Sequence, residues 1–333
     1  TAQFIIGLTR LYWESVTGLT IFIRPSTKMQ EKRARCQKED MKKFGLIGHP
    51  IAHSLSPALF KAGYEGRYPY DLIETDDFED AYGRFLKDYD GINVTAPFKE
   101  LAVRKADILS EECRQIGAAN ILVKTPEGIK AHNSDYLGVR QWLSEVAEGF
   151  NIRPTILIAG LGGAGKAAAV AAYNLKYDLI LMNRDISKAE VMAARLSDQT
   201  DGINIIDVHP LTDFTECFRE ADIIIYNIPT TIPQLAELTD EDFRGITAGN
   251  DIAMLEICRK ADIETAGACR PKVILEANYK NPSFSKKMID KMLEANPNAR
   301  YVSGETWLLY QAMTGYEIFT GEQPDLTKMS EVI

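Results

Sequence analysis

Residues 155–169 read Thr155-Ile-Leu-Ile-Ala159-Gly160-Leu-Gly162-Gly163-Ala164-Gly165-Lys166-Ala-Ala-Ala169. The uncharged run up to Ala159 has the composition of a strand buried on both faces. The glycines that follow permit a sharp turn, and the alanines after them favour a helix. In that order, strand, turn and helix present unpaired backbone N–H groups at a helix N-terminus. G-x-G-x-x-G over 160–165 lets a pyrophosphate approach them closely. The same residues come within one position of a nucleoside-triphosphate loop. Ala167, however, stands where that loop needs a hydroxyl to hold Mg²⁺. Gly160, Gly162, Gly163, Ala164 and Gly165 are therefore expected to bind a dinucleotide.

Downstream, a strand over Asp178–Met182 leads to Asn183-Arg184. An acid near this strand end commonly bonds the ribose 2′-hydroxyl of NAD, whereas an arginine suits the 2′-phosphate of NADP. Arg184, assisted by Lys188, points to NADP. Asp185 keeps NAD possible, or caps the next helix. Ile203–Asp207, Asp222–Tyr226 and Val273–Leu275 read as further strands and Ser187–Leu196 as a helix, so a parallel, Rossmann-type sheet covered on both faces is expected. Residues 234–271 show no clear pattern and read as an insertion.

Upstream, Phe44–Ile47, Tyr70–Ile73, Gly91–Val94 and Ile121–Val123 have the character of short strands. Asp77–Leu86 and Phe98–Ile108 read as helices, the second with Pro97 at its first turn. A helix over Ser134–Val146 precedes Gly149-Phe-Asn-Ile-Arg-Pro154, a polar boundary marked by Gly and Pro. The fold class is thus α/β with two domains. Residues 1–40 differ in kind, with seven Lys/Arg against four Asp/Glu and apolar runs too short for a membrane span. Met41-Lys-Lys-Phe resembles a natural start, so 1–40 is expected to be an extension outside the fold, whose deletion leaves activity and melting temperature nearly unchanged.

The 333 residues are 45% hydrophobic and 26% charged with a net charge of −9, which argues against a nucleic-acid or membrane-surface binder. Five scattered cysteines without a CxxC fit reduced thiols in the cytoplasm. The four histidines form no ligand set with cysteine, so no metal site is expected.

Polar groups gather at the turns of the first half. His53-Ser54-Leu-Ser56-Pro57 puts two hydroxyls on one segment, although Ser56 also suits a helix N-cap. Asn93-Val-Thr95-Ala-Pro97-Phe-Lys99 places an amide, a hydroxyl and an amine at a strand end. Gly117-Ala-Ala-Asn120 and Asn133-Ser-Asp135 add further amides and a carboxylate. With the Gly160 loop, Asn183-Arg184, Tyr279 and the segment from Gly304 to Gln311, this set resembles the shikimate dehydrogenase family over residues 44–324. The resemblance implies reversible reduction of 3-dehydroshikimate to shikimate by NADPH, in the route to chorismate and the aromatic amino acids. By the same resemblance, Lys99 and Asp135 form the catalytic pair and Ser54 and Ser56 hold the substrate carboxylate. Thr95, Asn120 and Gln311 bond the carboxylate or ring hydroxyls, with Tyr279 nearby. Gly304 joins Asn183, Arg184 and Lys188 on the cofactor side. It also implies a substrate-binding domain of residues 41–140 plus 303–333, with a helix over Glu305–Thr320, and a cofactor domain over 141–302. A small-molecule substrate is the expected partner, and a monomer or homodimer the expected assembly.

The chain departs from the family pattern in places. Asn227-Ile-Pro-Thr-Thr-Ile-Pro233 replaces Asn-Ala-Thr followed by Gly-Met beside the nicotinamide. Phe60-Lys61 replaces His-Asn, Glu276 stands for Asp, and Ala312-Met313 for Gly-Ala. Three rival readings stand beside this one: an NAD-dependent quinate/shikimate dehydrogenase, a non-catalytic relative that binds shikimate, and a Rossmann-type enzyme acting on an unrelated acid.

Overall fold

The computed structural model describes residues 42–198, 204–244 and 270–333. The N-terminal extension and most of the 234–271 segment lie outside the described residues. Residues 44–132 supply β1 (Phe44–Gly48), α1 (Ser56–Gly63), β2 (Tyr70–Glu74), α2 (Phe78–Asp88), β3 (Gly91–Val94) and α3 (Lys99–Lys105). They continue with β4 (Ile108–Leu109), α4 (Glu111–Ile116), β5 (Ile121–Thr125) and β6 (Gly128–His132). The strands make one sheet in the order β2-β1-β3-β5-β6-β4. Its β2-β1-β3 part is parallel, while β5 runs antiparallel to both β3 and β6.

A long helix, α5 (Ser134–Ala147), leads to the second sheet. This contains β7 (Thr155–Ala159), α6 (Gly163–Asn174), β8 (Asp178–Asn183), α7 (Ile186–Ser197), β9 (Ile206–Pro210), α8 (Phe214–Glu220) and β10 (Ile223–Tyr226). After α9 (Asp240–Arg244) come β11 (Lys272–Glu276), α10 (Lys286–Ala295) and β12 (Ala299–Ser303). The strand order β12-β11-β10-β7-β8-β9 is parallel throughout, with β7 central, and matches the doubly wound dinucleotide-binding topology. Ile156–Ala159 and Ile223–Tyr226 are wholly buried, as expected for strands covered on both faces. The chain then returns to the first sheet through α11 (Gly304–Thr320) and ends with α12 (Leu326–Ser330).

Local chemistry fixes most boundaries. Asp77 caps α2 by accepting from the Glu79 and Asp80 N–H groups, and Asn133 caps α5 by accepting from Tyr136. Ser303 caps α11 through the Glu305 N–H, and Gly321 ends that helix in the left-handed region at φ 77°. Three expectations need correction. Ser56 is not an N-cap: Leu55 holds that position, and the Ser54 hydroxyl accepts the Ser56 N–H at 3.2 Å. The helix expected over 98–108 begins at Lys99 and stops at Lys105, because Asp107 is drawn to the Ile129 N–H and Ile108–Leu109 pairs with β6. Strand β9 starts three residues late, after Asn204 donates to the Tyr173 and Tyr177 carbonyls and fixes a turn there.

Candidate active site

The ends of β1, β3 and β11 and the starts of α5, α6 and α11 enclose a cavity of about 310 Å³. The structure brings together in its lining Ser54, Ser56, Thr95, Lys99, Asn120, Asp135, Ala164, Tyr279, Gly304 and Gln311. All of the residues expected to touch substrate are therefore neighbours, although they span most of the chain.

Lys99, the first residue of α3, places its Nζ 2.6 Å from Oδ2 of Asp135, the second residue of α5. The two side chains are only 20% and 14% exposed, so the pair is largely shielded from bulk water yet open to the cavity. The turns that carry it are interlocked. The Ala119 N–H donates to the Lys99 carbonyl at 2.9 Å, and Asn133 donates from Nδ2 to the Ala118 carbonyl at 2.9 Å. Asn120 exchanges bonds with Ser134: its Oδ1 accepts the Ser134 N–H at 2.7 Å, and its Nδ2 donates to the Ser134 hydroxyl at 3.1 Å. Ser134 in turn donates to Gln311 Oε1 at 3.0 Å, which ties α11 to this network. The hydroxyls of Ser54 and Ser56 lie 3.2 Å apart. Burial, then the charge of Glu305, raises the Tyr279 phenol above its ordinary value, so it is a neutral donor.

The glycine loop lies against this cavity. A side chain at Gly163 would begin 3.6 Å from Lys99 Cδ. Gly160 adopts φ +93°, and a Cβ there would lie 3.1 Å from the Asn227 carbonyl carbon, so the chain turns where no Cβ fits easily. Nothing lies within 4 Å of a Cβ built on Gly162, which leaves the N-terminus of α6 open. That open face, ahead of a twelve-residue helix, fits a dinucleotide pyrophosphate. Asn183 fixes the loop by accepting the Leu161 N–H at 3.1 Å and donating to the Asp185 carbonyl at 3.0 Å. Arg184 and Lys188 lie outside the cavity lining, exposed beyond the end of β8. Asp185 occupies the N-cap of α7, but its side chain caps no N–H. Gly304 has a structural demand of its own: a Cβ there would meet the Ala277 carbonyl oxygen at 2.3 Å.

Several groups in the lining had been given no role from the sequence. Asn93 lies in the lining, accepts the Tyr70 hydroxyl at 2.7 Å and donates to the Asn120 carbonyl at 3.3 Å. Trp307, Lys280 and Tyr316 also line the cavity. Trp307 stands four residues before Gln311, on the same helical face, and that spacing was the available signal. Among the described residues no group of three or more His, Cys, Asp or Glu could hold a metal ion, and no helix is long and apolar enough to cross a membrane.

A doubly wound parallel sheet with a glycine loop, facing a second sheet across a cavity, defines a two-domain α/β enzyme fold of the dinucleotide-dependent kind. Residues 46–122 match the family model of the shikimate dehydrogenase substrate binding domain. The chain is 36% identical over 188 residues to the shikimate dehydrogenase (NADP(+)) of Legionella pneumophila, covering 54% of this chain and 69% of that one. It is 28% identical over 292 residues to the shikimate dehydrogenase (NADP(+)) of Halothermothrix orenii, covering 85% and 92%. The chain belongs to the shikimate dehydrogenase family. Its fold is shared by the quinate dehydrogenase of Corynebacterium glutamicum in complex with NAD, with a TM-score of 0.68 at 19% identity over 88% of this chain and 98% of that one.

Proposed function

We propose that this chain is an NADP-dependent shikimate dehydrogenase that reversibly reduces the ring ketone of 3-dehydroshikimate, in the route to chorismate and the aromatic amino acids. The observation that carries the reading is the shielded Lys99–Asp135 pair, 2.6 Å apart, in a cavity whose lining also holds the hydroxyls of Ser54, Ser56 and Thr95 and the amides of Asn93, Asn120 and Gln311 among apolar side chains. A small polyhydroxylated acid suits such a lining. The NADP(+)-dependent relatives from Halothermothrix and Legionella support it by name.

In this reading the Ser54 and Ser56 hydroxyls take the two oxygens of the substrate carboxylate. Thr95, Asn120 and Gln311 bond ring hydroxyls, and Tyr279 donates from the rim. The bound dinucleotide supplies the hydride. Lys99, as an ammonium, stabilises the carbonyl oxygen as it gains charge and passes it a proton from Nζ. Asp135 accepts a hydrogen bond from that nitrogen and so aims it. In the reverse direction the amine of Lys99 takes the proton back from the substrate hydroxyl. Gly160, Gly162, Gly163, Ala164 and Gly165 seat the pyrophosphate, with Asn183 and Gly304 shaping the adjoining surface. Arg184 and Lys188 face the 2′-phosphate. We further assign residues 41–140 with 303–333 to the substrate side and 141–302 to the cofactor side. We assign a cytoplasmic location, with which the unbridged thiols of Cys113 and Cys217 accord, and an assembly of a monomer or homodimer.

The uncapping carboxylate of Asp185 favours one second reading, an NAD-dependent enzyme acting on quinate as well. The test is a spectrophotometric assay with shikimate or quinate and matched NADP or NAD. Turnover confined to shikimate with NADP is expected. Comparable turnover of quinate with NAD would transfer the assignment to the second reading. No turnover, with shikimate still raising the melting temperature, would leave a binding protein.

A further inference from the structure

We propose that Trp307 is a positioning residue for this reaction, acting through Asp135; the inference rests on the shikimate dehydrogenase reading. Trp307 is 5% exposed and lines the cavity one turn before Gln311. Its indole Nε1–H donates to the backbone carbonyl of Asp135 at 3.0 Å. The same residue accepts Lys99 Nζ at its carboxylate, 2.6 Å away. Asp135 is thus held twice, by an ammonium on its side chain and by an indole on its main chain.

The clamp belongs to a continuous contact. Trp307, Gln311 and Gly315 recur every four residues and occupy one face of α11. Gln311 meets the Ser134 hydroxyl, and a Cβ at Gly315 would lie 3.1 Å from that same oxygen. A Cβ at Gly138 would come 2.6 Å from the Gln311 nitrogen, so the two helix backbones are already in contact. Helix α11 therefore meets the first turn of α5 from three successive turns of its own, Trp307 at the Asp135 main-chain carbonyl and Gln311 and Gly315 at the Ser134 hydroxyl. Without the indole bond the Asp135 backbone loses its outside tether, and the Lys99 ammonium loses the fixed acceptor that aims it. Loss of aim slows proton transfer while leaving the hydroxyl and amide contacts to substrate in place.

The test is Trp307→Phe, which keeps an aromatic ring and removes the donor, measured alone and in an Asp135→Asn background. The expected result is a kcat about 5- to 10-fold below wild type, the worth of one hydrogen bond, with the KM for shikimate within about 2-fold. In Asp135→Asn the same change should cost less than about 2-fold, because the route through the carboxylate is already cut. An equal loss in both backgrounds, or full turnover in Trp307→Phe, overturns the proposal while the enzyme assignment stands. A wild type inactive with shikimate and either nicotinamide dinucleotide overturns the assignment and this inference with it. Should Trp307→Phe fail to fold, benzothienylalanine at 307 replaces the N–H with sulfur at nearly constant shape, and the same outcomes decide.

Discussion

Gly165→Ala is a sharp test of the glycine loop because the structure gives its cost. A Cβ on Gly165 would lie 1.9 Å from the Gly160 carbonyl oxygen and 2.9 Å from its carbon, and Asn227 Nδ2 is 3.5 Å away on another side. The nearest obstacles are backbone atoms, so no side chain can swing aside. Strand β7 and helix α6 must part by roughly 1 Å at the turn, an overpacking strain of ~1–3 kcal/mol. Because the turn itself is displaced, dinucleotide affinity should fall by a similar free energy, about 5- to 150-fold in Kd. Gly162→Ala is the control. Its Cβ would meet nothing within 4 Å, so the fold tolerates it, while the methyl group projects into the space assigned to the pyrophosphate. The assay pairs melting temperature without ligand with fluorescence titration of NADPH. Gly165→Ala should lower both stability and affinity, and Gly162→Ala affinity alone. A Gly165→Ala protein with wild-type melting and wild-type Kd would refute the geometry of the turn. A Gly162→Ala protein that binds NADPH normally would remove the pyrophosphate from this loop.

Lys99→Ala should lower kcat by about 10²- to 10⁴-fold, the usual range for a general acid, with little change in KM; near-full turnover in a steady-state assay would end its proton-transfer role. Gln311→Ala should raise the KM for shikimate about 5-fold as well as slow turnover, since it removes both a cavity amide and the acceptor of the Ser134 hydroxyl. Lys272 gives a pH signature. Burial lowers it from 10.5 to about 7, although the charge of Asp222 opposes the shift. Between pH 7 and 10.5 the unfolded chain binds the extra proton, so this group makes stability rise with pH and withdraws that contribution as pH falls through 7. Urea denaturation from pH 7 to 8.5 should show a slope of up to about 1.4 kcal/mol per pH unit that Lys272→Met lacks; equal slopes would refute it. Above pH 9 the buried thiols of Cys113 and Cys217, pushed up to about 12 by burial, act the other way.

What could be read from the sequence is what local physics alone determines. The glycine loop was legible because strand, turn and helix follow one another within fifteen residues. The apolar runs at 156–159 and 223–226 were legible because burial on both faces leaves no polar alternation to confuse them. The strand at Ile108–Leu109 was not, since two residues have no period and their pairing with β6 is a long-range fact. Nor was Trp307's bond to a residue 172 positions earlier. The polar residues of the first half were each ambiguous: Ser56 looked as much like a cap as a ligand. The structure removes the cap reading by giving that position to Leu55, and the Ser54 hydroxyl lies 3.2 Å from that of Ser56.

The departures from the family pattern acquire a physical meaning in the 227–233 loop. Its first residue, Asn227, keeps the contact that the glycine turn needs, lying against both Gly160 and Gly165. The rest is held by bonds of its own: the Tyr226 hydroxyl donates to the Thr230 carbonyl at 2.9 Å, and Asn278 donates to the Pro229 carbonyl at 3.1 Å. Ile232 is buried at 8% exposure. Pro229 and Pro233 fix two φ angles and lack N–H groups that would otherwise need partners. A loop without the usual Gly-Met is thus anchored to β10 on one side and to the Tyr279 segment on the other. Asn278 joins the loop to the residue next to Tyr279, so any change that loosens 227–233 should also be felt at the cavity rim. In the proposed reading the substitutions in this loop alter the wall beside the cofactor, whereas the Lys99–Asp135 pair is carried by α3 and α5 and braced by Trp307 of α11.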